Sequence, residues 1–134
     1  LEQVAWGFRN PAYLKFDNGG QLYAANNGYN AIGSRPIDNA TDDFYAIMPD
    51  LWYGWPYYSG GEAVNSPRFT PSGGVQPELL FKNQPNIPPK PFVTFPSNST
   101  IRGFDFNYNR AFGSYGDVYI AEYGKAPCIK SKEM

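Results

Sequence analysis

Ala12-Tyr13-Leu14-Lys15-Phe16, Asp17-Asn18-Gly19-Gly20 and Gln21-Leu22-Tyr23-Ala24-Ala25 follow one another without interruption, and their reading decides the fold. The two outer runs are short and rich in aromatic and aliphatic residues, as buried strands are. Between them, Asn and Gly tolerate the positive φ of a tight turn, so the three runs read as a β-hairpin.

The pattern returns near the other end of the chain. Gly103-Phe104-Asp105-Phe106-Asn107 followed by Gly116-Asp117-Val118-Tyr119-Ile120-Ala121 aligns with Tyr13-Leu14-Lys15-Phe16-Asp17 followed by Gly20-Gln21-Leu22-Tyr23-Ala24-Ala25. Phe16 and Phe106 are 90 positions apart, and Tyr23 and Tyr119 are 96 apart. A hairpin pattern that recurs is the mark of a radial β-repeat with blades of roughly 40 to 50 residues. Strands are expected at 12–16, 21–25, 44–48, 102–106 and 117–122, with a weaker one at 92–95.

The fold class is therefore all-β, with the antiparallel sheets of a β-propeller. At about four strands per blade the inventory makes roughly one and a half blades, whereas about four to eight close a propeller. Residues 1–134 are expected to form one partial propeller domain, completed by remaining blades or by other copies of the chain, because unpaired edges and aromatic faces need cover. A start at Leu1 reads as that of a matured, cloned or cleaved segment, and a tail from Cys128 to Met134 that reads as strandless leads to the expectation of a truncated unit.

Residues 51–91 differ in character, with Ser59-Gly60-Gly61 and prolines at 67, 71, 77, 85, 88, 89 and 91. No helical period survives so many breakers, so an ordered surface excursion, partly polyproline-like, is expected. Phe69, Leu79, Leu80 and Phe81 give it the means to dock. At its start, Trp52-Tyr53-Gly54-Trp55-Pro56 offers rigid aromatic surface, readable either as a ligand platform or as core packing and a blade terminus.

Composition narrows the function. A net charge of -1, from 11 basic and 12 acidic residues, supplies no cationic field for phosphates, so no nucleic-acid partner is expected. No apolar run approaches the roughly 20 residues of a membrane helix, so no membrane partner is expected either. One cysteine, Cys128, makes no internal disulfide. The absence of histidine removes every His-based triad, zinc site and general base from this chain. Asn39-Ala40-Thr41 and Asn98-Ser99-Thr100 match the glycosylation pattern, a frequent match.

Two clusters carry polar chemistry. Arg9-Asn10-Pro11 sets a planar cation and an amide just before the first strand, where they can pair with a carboxylate or polarise a carbonyl. Asn26-Asn27-Gly28-Tyr29 follows the second strand and can turn backbone carbonyls to a hard cation such as calcium, with Asp42 or Asp43 in support. The acid pair also reads as a solvated strand start.

In order, Gly7-Phe8-Arg9-Asn10-Pro11, Asp17-x-x-Gly20-x-Leu22-Tyr23, Asn27-Gly28, Asp42-Asp43 and Tyr53-Gly54-Trp55-Pro56 resemble the glucose/sorbosone dehydrogenase family. The resemblance covers 6–61 best and 102–124 more loosely. It implies a six-bladed β-propeller that oxidises aldoses with pyrroloquinoline quinone (PQQ) and calcium, in the periplasm or outside the cell. By resemblance, Arg9 and Asn10 meet the reactive quinone carbonyl, while Asn27 and Asp42 lie near the cofactor. The carbonyls of Gly28 and Tyr29 stand where the family holds calcium, although Tyr29 replaces a proline. The family's later lysine falls in register at Gly124, with Lys125 one place along. Its histidine base has no counterpart, so no residue here is assigned as catalytic and the chain alone is expected to be inactive. Two alternatives stand beside this reading: a non-catalytic sugar-binding propeller that stacks sugars on Trp52, Tyr53, Trp55, Tyr57 and Tyr58, and a self-associating β-sheet module.

Overall fold

The computed structural model describes residues 1–80, 83–124 and 128–132. Its strands are β1 (Pro11–Phe16), β2 (Leu22–Asn26), β3 (Asp42–Ala46), β4 (Tyr58–Ser59), β5 (Glu62–Ala63), β6 (Val93–Phe95), β7 (Ile101–Phe106), β8 (Val118–Glu122) and β9 (Cys128–Lys132). They form an antiparallel four-stranded sheet in the order β1-β2-β3-β6, an antiparallel three-stranded sheet in the order β7-β8-β9, and the small β4-β5 hairpin. Among the described residues there is no closed barrel, and no helix is long and apolar enough to cross a membrane.

The two hairpins recognised in the sequence share their register. Phe16 pairs with Leu22 and Leu14 with Ala24; in the second copy Phe106 pairs with Val118 and Phe104 with Ile120. Both ladders slip by one residue at the same aligned place, between Pro11 and Tyr13 and between Ile101 and Gly103. A shared bulge is stronger support for a structural repeat than shared composition, because bulges fix strand bend and twist.

Alternation along the strands divides the side chains between two cores. Tyr23, Ala25, Phe44 and Phe95 of the first sheet pack against Ile101, Phe104, Phe106, Val118 and Ile120 of the second. The rings interlock: Phe44 meets Phe104 edge-on at 4.8 Å and Tyr23 lies 5.1 Å from Phe106. On the opposite face of the first sheet, Ala24, Tyr45 and Ile47 are covered by Tyr53, with Ala5, Phe8 and Leu51 around them. Phe8 stacks on Tyr53 at 4.6 Å.

Trp52 to Pro56 is a seam. Tyr53 N–H donates to the Trp6 carbonyl and Trp55 N–H to the Gly7 carbonyl, both at 2.8 Å. Gly7 runs against the Trp52 indole with φ +82°, a place with no room for a side chain. The excursion that follows docks as expected: Phe69 is fully buried with Ile37, Ala40 and Val64, and Leu79 packs against them. Leu80 is exposed instead, and Phe81 lies outside the described residues.

Three expectations need correction. The third strand is Asp42–Ala46 rather than 44–48, because β6 pairs with it at Asp42, Asp43 and Phe44 and draws the ladder toward the acids. The tail contains a strand: β9 runs antiparallel to β8 from Val118 opposite Lys132 to Glu122 opposite Cys128. It is the outer strand of the order β7-β8-β9, where backbone pairing does not require the apolar signature of a buried strand. Within 51–91, Gly60 and Gly61 form the β4-β5 turn with φ of 59° and 79°, so the excursion holds a small hairpin.

Candidate functional site

The bulged ends of β1 and β7 lie beside the exit of β2 and the entry of β3, and the polar residues of four segments meet there. Asn26 is buried at the end of β2, and its Oδ1 accepts the Asn10 backbone N–H at 3.0 Å. Asn27 N–H donates to the Asn10 carbonyl at 3.0 Å, so the Arg9-Asn10 segment is zipped to the Asn26-Asn27 turn. Gly28 then passes so close to the Thr41 carbonyl that a Cβ would run into it.

Asp42 fastens this turn to the second sheet. One carboxylate oxygen accepts the Gly28 N–H and the other the Thr100 N–H, each at 2.6 Å, and the side chain is 4% exposed. Charge-assisted bonds this short are the strong kind, and both cross between separate parts of the chain.

Above this latch lies a cleft of about 160 Å³, lined by Arg9, Asn10, Asn27, Gly28, Tyr29 and Asp42 together with Asn30, Asn98, Thr100 and Arg102. Every described residue expected to meet a cofactor or metal is thus in one place. Lys125 lies outside the described residues; its neighbour Gly124 packs on the Asn98 and Ser99 carbonyls. Among the described residues neither Arg9 nor Arg102 makes an ion pair, the two bridges being Lys15–Asp105 and Arg68–Glu62. Oδ1 of Asn27, a residue 7% exposed, is buried with no hydrogen-bond partner. Two cations and an unsatisfied acceptor beside one another suit a ligand with both negative and hydroxyl-like groups. Arg102, Thr100, Asn98 and Asn30 had no local signal of this role.

Asp43 faces the other way. It lines a small recess of about 10 Å³, room for about one water, with Arg9, Tyr45, Tyr53, Trp55 and Ser59 among its walls. Its oxygens accept hydrogen bonds from Thr41 Oγ1 (2.7 Å), Tyr45 Oη (3.2 Å) and the Gly60 N–H (3.2 Å). Burial, only partly offset by those bonds, pushes the Asp43 carboxyl up to about 6. Burial also raises the Tyr29 hydroxyl, with the Arg35 guanidinium opposing it from nearby without forming a well-shaped hydrogen bond.

The acid pair is therefore not a solvated strand start: Asp42 and Asp43 are 4% and 2% exposed. Each carboxylate oxygen of the pair already accepts a protein hydrogen bond, which leaves fewer lone pairs for a cation. Among the described residues no group of three His, Cys, Asp or Glu is arranged to hold a metal. The aromatic platform also contracts, because Trp52, Tyr53 and Tyr57 are buried and Trp55 keeps the open surface.

No protein-family model, no curated protein and no solved structure matches the chain. The functional reading rests on the residues and their geometry.

Proposed function

We propose that this chain is a segment of a sugar-dehydrogenase-like β-propeller and that its cleft meets one edge of a quinone cofactor. The observation that carries the reading is the convergence of Arg9, Asn10, Asn27 and Asp42, with Arg102, on one polar cleft. The residues suit the quinone half of the cofactor system. Arg9 and Arg102 can hold its anionic oxygens, and when bound it would supply the hydride acceptor for aldose oxidation. Arginine there stabilises negative charge developing on a carbonyl oxygen. Calcium fits less well, since the acids are committed elsewhere and it would rest on the Gly28 and Tyr29 carbonyls.

A cleft of about 160 Å³ covers part of a ligand, against roughly 300 to 1,000 Å³ for complete small-molecule sites. The remaining walls, and a base for the sugar hydroxyl, would come from further blades, in a protein working in the periplasm or outside the cell. Titrating PQQ against the chain and following tryptophan fluorescence tests this. Binding is expected to be weak and to fall about tenfold or more in Arg9→Ala and in Arg102→Ala, the effect of losing one charge-assisted contact. Calcium should change it little. Aldose with an artificial electron acceptor should give no dye reduction by this chain alone. Binding indifferent to both arginines would overturn the assignment. Sugar binding without PQQ, abolished by Trp55→Ala, would select the non-catalytic sugar-binding reading.

A further inference from the structure

We infer that the chain associates head to tail, the Leu14/Phe16 face of one copy docking on the Tyr119 face of the next in the way its own two sheets pack together. The repeated hairpin supplies both faces, and the ligand proposed for the cleft touches neither.

Aligned positions of the two hairpins sit in unlike surroundings. Phe104 and Phe106 of β7 are 5% and 8% exposed, wedged against Tyr13, Tyr23 and Phe44 of the first sheet. Their counterparts in β1, Leu14 and Phe16, are 55% and 62% exposed. The chain's own segments cover the neighbouring Ala24 and Tyr45 but leave these two open.

The complementary face shows the converse. Tyr23 is buried under Phe106, and the nearby Asn18 N–H donates to Tyr108 Oη at 2.7 Å. Tyr119, the counterpart of Tyr23, instead meets the exposed Phe112 of its own chain at 5.1 Å and borders with it, Asp105, Phe106 and Asn107 a largely apolar hollow of about 320 Å³. What fills that place in the first sheet is Phe106, and the counterpart of Phe106 is the exposed Phe16. A second copy of this chain therefore presents, in Phe16, an aromatic side chain to the part of the hollow that Phe112 leaves open.

Charge agrees with the same direction. Lys15 on the first sheet bonds Asp105 on the second at 2.7 Å, and these two residues are themselves counterparts in the repeat. Docking by the same operation carries Asp105 of one copy to Lys15 of the next. Such an interface joins unlike surfaces, so it propagates until a ring closes. With two sheets per copy and about four to eight sheets in a closed propeller, the ring takes roughly two to four copies.

Sedimentation velocity on the ligand-free chain at up to about 100 µM reads the association. The wild type is expected to form a discrete species of roughly two to four copies. Phe16→Asp, at a site exposed in the single chain, should raise the concentration of half-assembly on the order of 30-fold, from one lost aromatic burial, with an unchanged circular-dichroism spectrum. Phe112→Asp, at the rim of the hollow and 71% exposed, should do likewise. Mixing the two variants restores one intact pair of faces and should give a 1:1 dimer that grows no further. A monomeric wild type, or association undiminished in Phe16→Asp and Phe112→Asp, would overturn the proposal. So would a mixture that stays monomeric while each variant is folded. Quinone binding does not enter any of these readouts, so either proposal can fail without the other.

Discussion

Asp42 and Asp17 do the same job at opposite ends of the first sheet, and their surroundings give it different weight. Each carboxylate accepts two backbone N–H groups: Asp42 from Gly28 and Thr100, Asp17 through one oxygen from Gly19 and Gln21. Asp17 closes its own turn, its partners two and four residues away, in partial contact with water. Asp42 is buried and joins segments 14 and 58 residues distant. The lesson is that a hydrogen-bond pattern does not fix its energetic weight. What matters is whether water can replace the acceptor and how much chain the bond holds in register.

The largest effect is expected at the buried end. Asp42→Ala leaves the Gly28 and Thr100 N–H groups without acceptors, at roughly 1 to 3 kcal/mol each, so a loss of about 4 kcal/mol is expected. Denaturant unfolding measures it. Because the latch also shapes the cleft, quinone binding should be lost in Asp42→Ala even where the protein remains folded. A loss below about 1 kcal/mol would show that water replaces the carboxylate there and would erase the contrast with Asp17.

The neighbouring acid sharpens the comparison with the opposite sign. Asp43 is held at about 6 by burial, so the folded state binds its proton more tightly than the unfolded chain does. Below the ordinary carboxylate range both states are protonated and Asp43 contributes no penalty. As pH rises from about 4 to 6 the penalty grows, and above that it is complete. Asp43→Asn keeps an oxygen for Tyr45 and Gly60 and turns its NH₂ to Thr41 Oγ1. It should therefore stabilise the protein at pH 7 by on the order of 2 kcal/mol, with the gain vanishing toward pH 4. Unfolding midpoints across that range test the slope; a variant less stable than wild type at pH 7 would place the value of Asp43 in its hydrogen bonds.

These two acids also mark what was legible in the sequence. Strand positions, both hairpins and their repeat could be read from local alternation and turn residues, since those signals lie within a few positions of one another. Arg9, Asn10, Asn27, Gly28, Tyr29 and Asp42 could be proposed as neighbours through an ordered resemblance, and the structure brings them into one cleft. Arg102 and Thr100 could not, because they join the site through the packing of β7 beside β1, a long-range event. Burial of the acid pair was hidden for the same reason: two adjacent aspartates look solvated until the Gly60 turn and Thr100 fold over them. β9 was hidden by composition, an edge strand needing backbone pairing more than apolar side chains.

At the solvent end the effect should be smallest. In Asp17→Ala the N–H groups of Gly19 and Gln21 lose their acceptor, but Gly19 is exposed and water can take it over. The turn keeps its backbone closure, with Asp17 N–H donating to the Gln21 carbonyl at 2.9 Å and Gly20 N–H to the Asp17 carbonyl at 3.1 Å. Gly20, at φ +84°, relieves the strain that another residue would feel there. A loss of about 0.5 to 1 kcal/mol follows, with quinone binding untouched because the cleft lies at the far end of the strands. Parallel unfolding curves of Asp17→Ala and Asp42→Ala read the difference directly. Equal losses would mean that the turn, rather than the latch, sets the register of the first sheet.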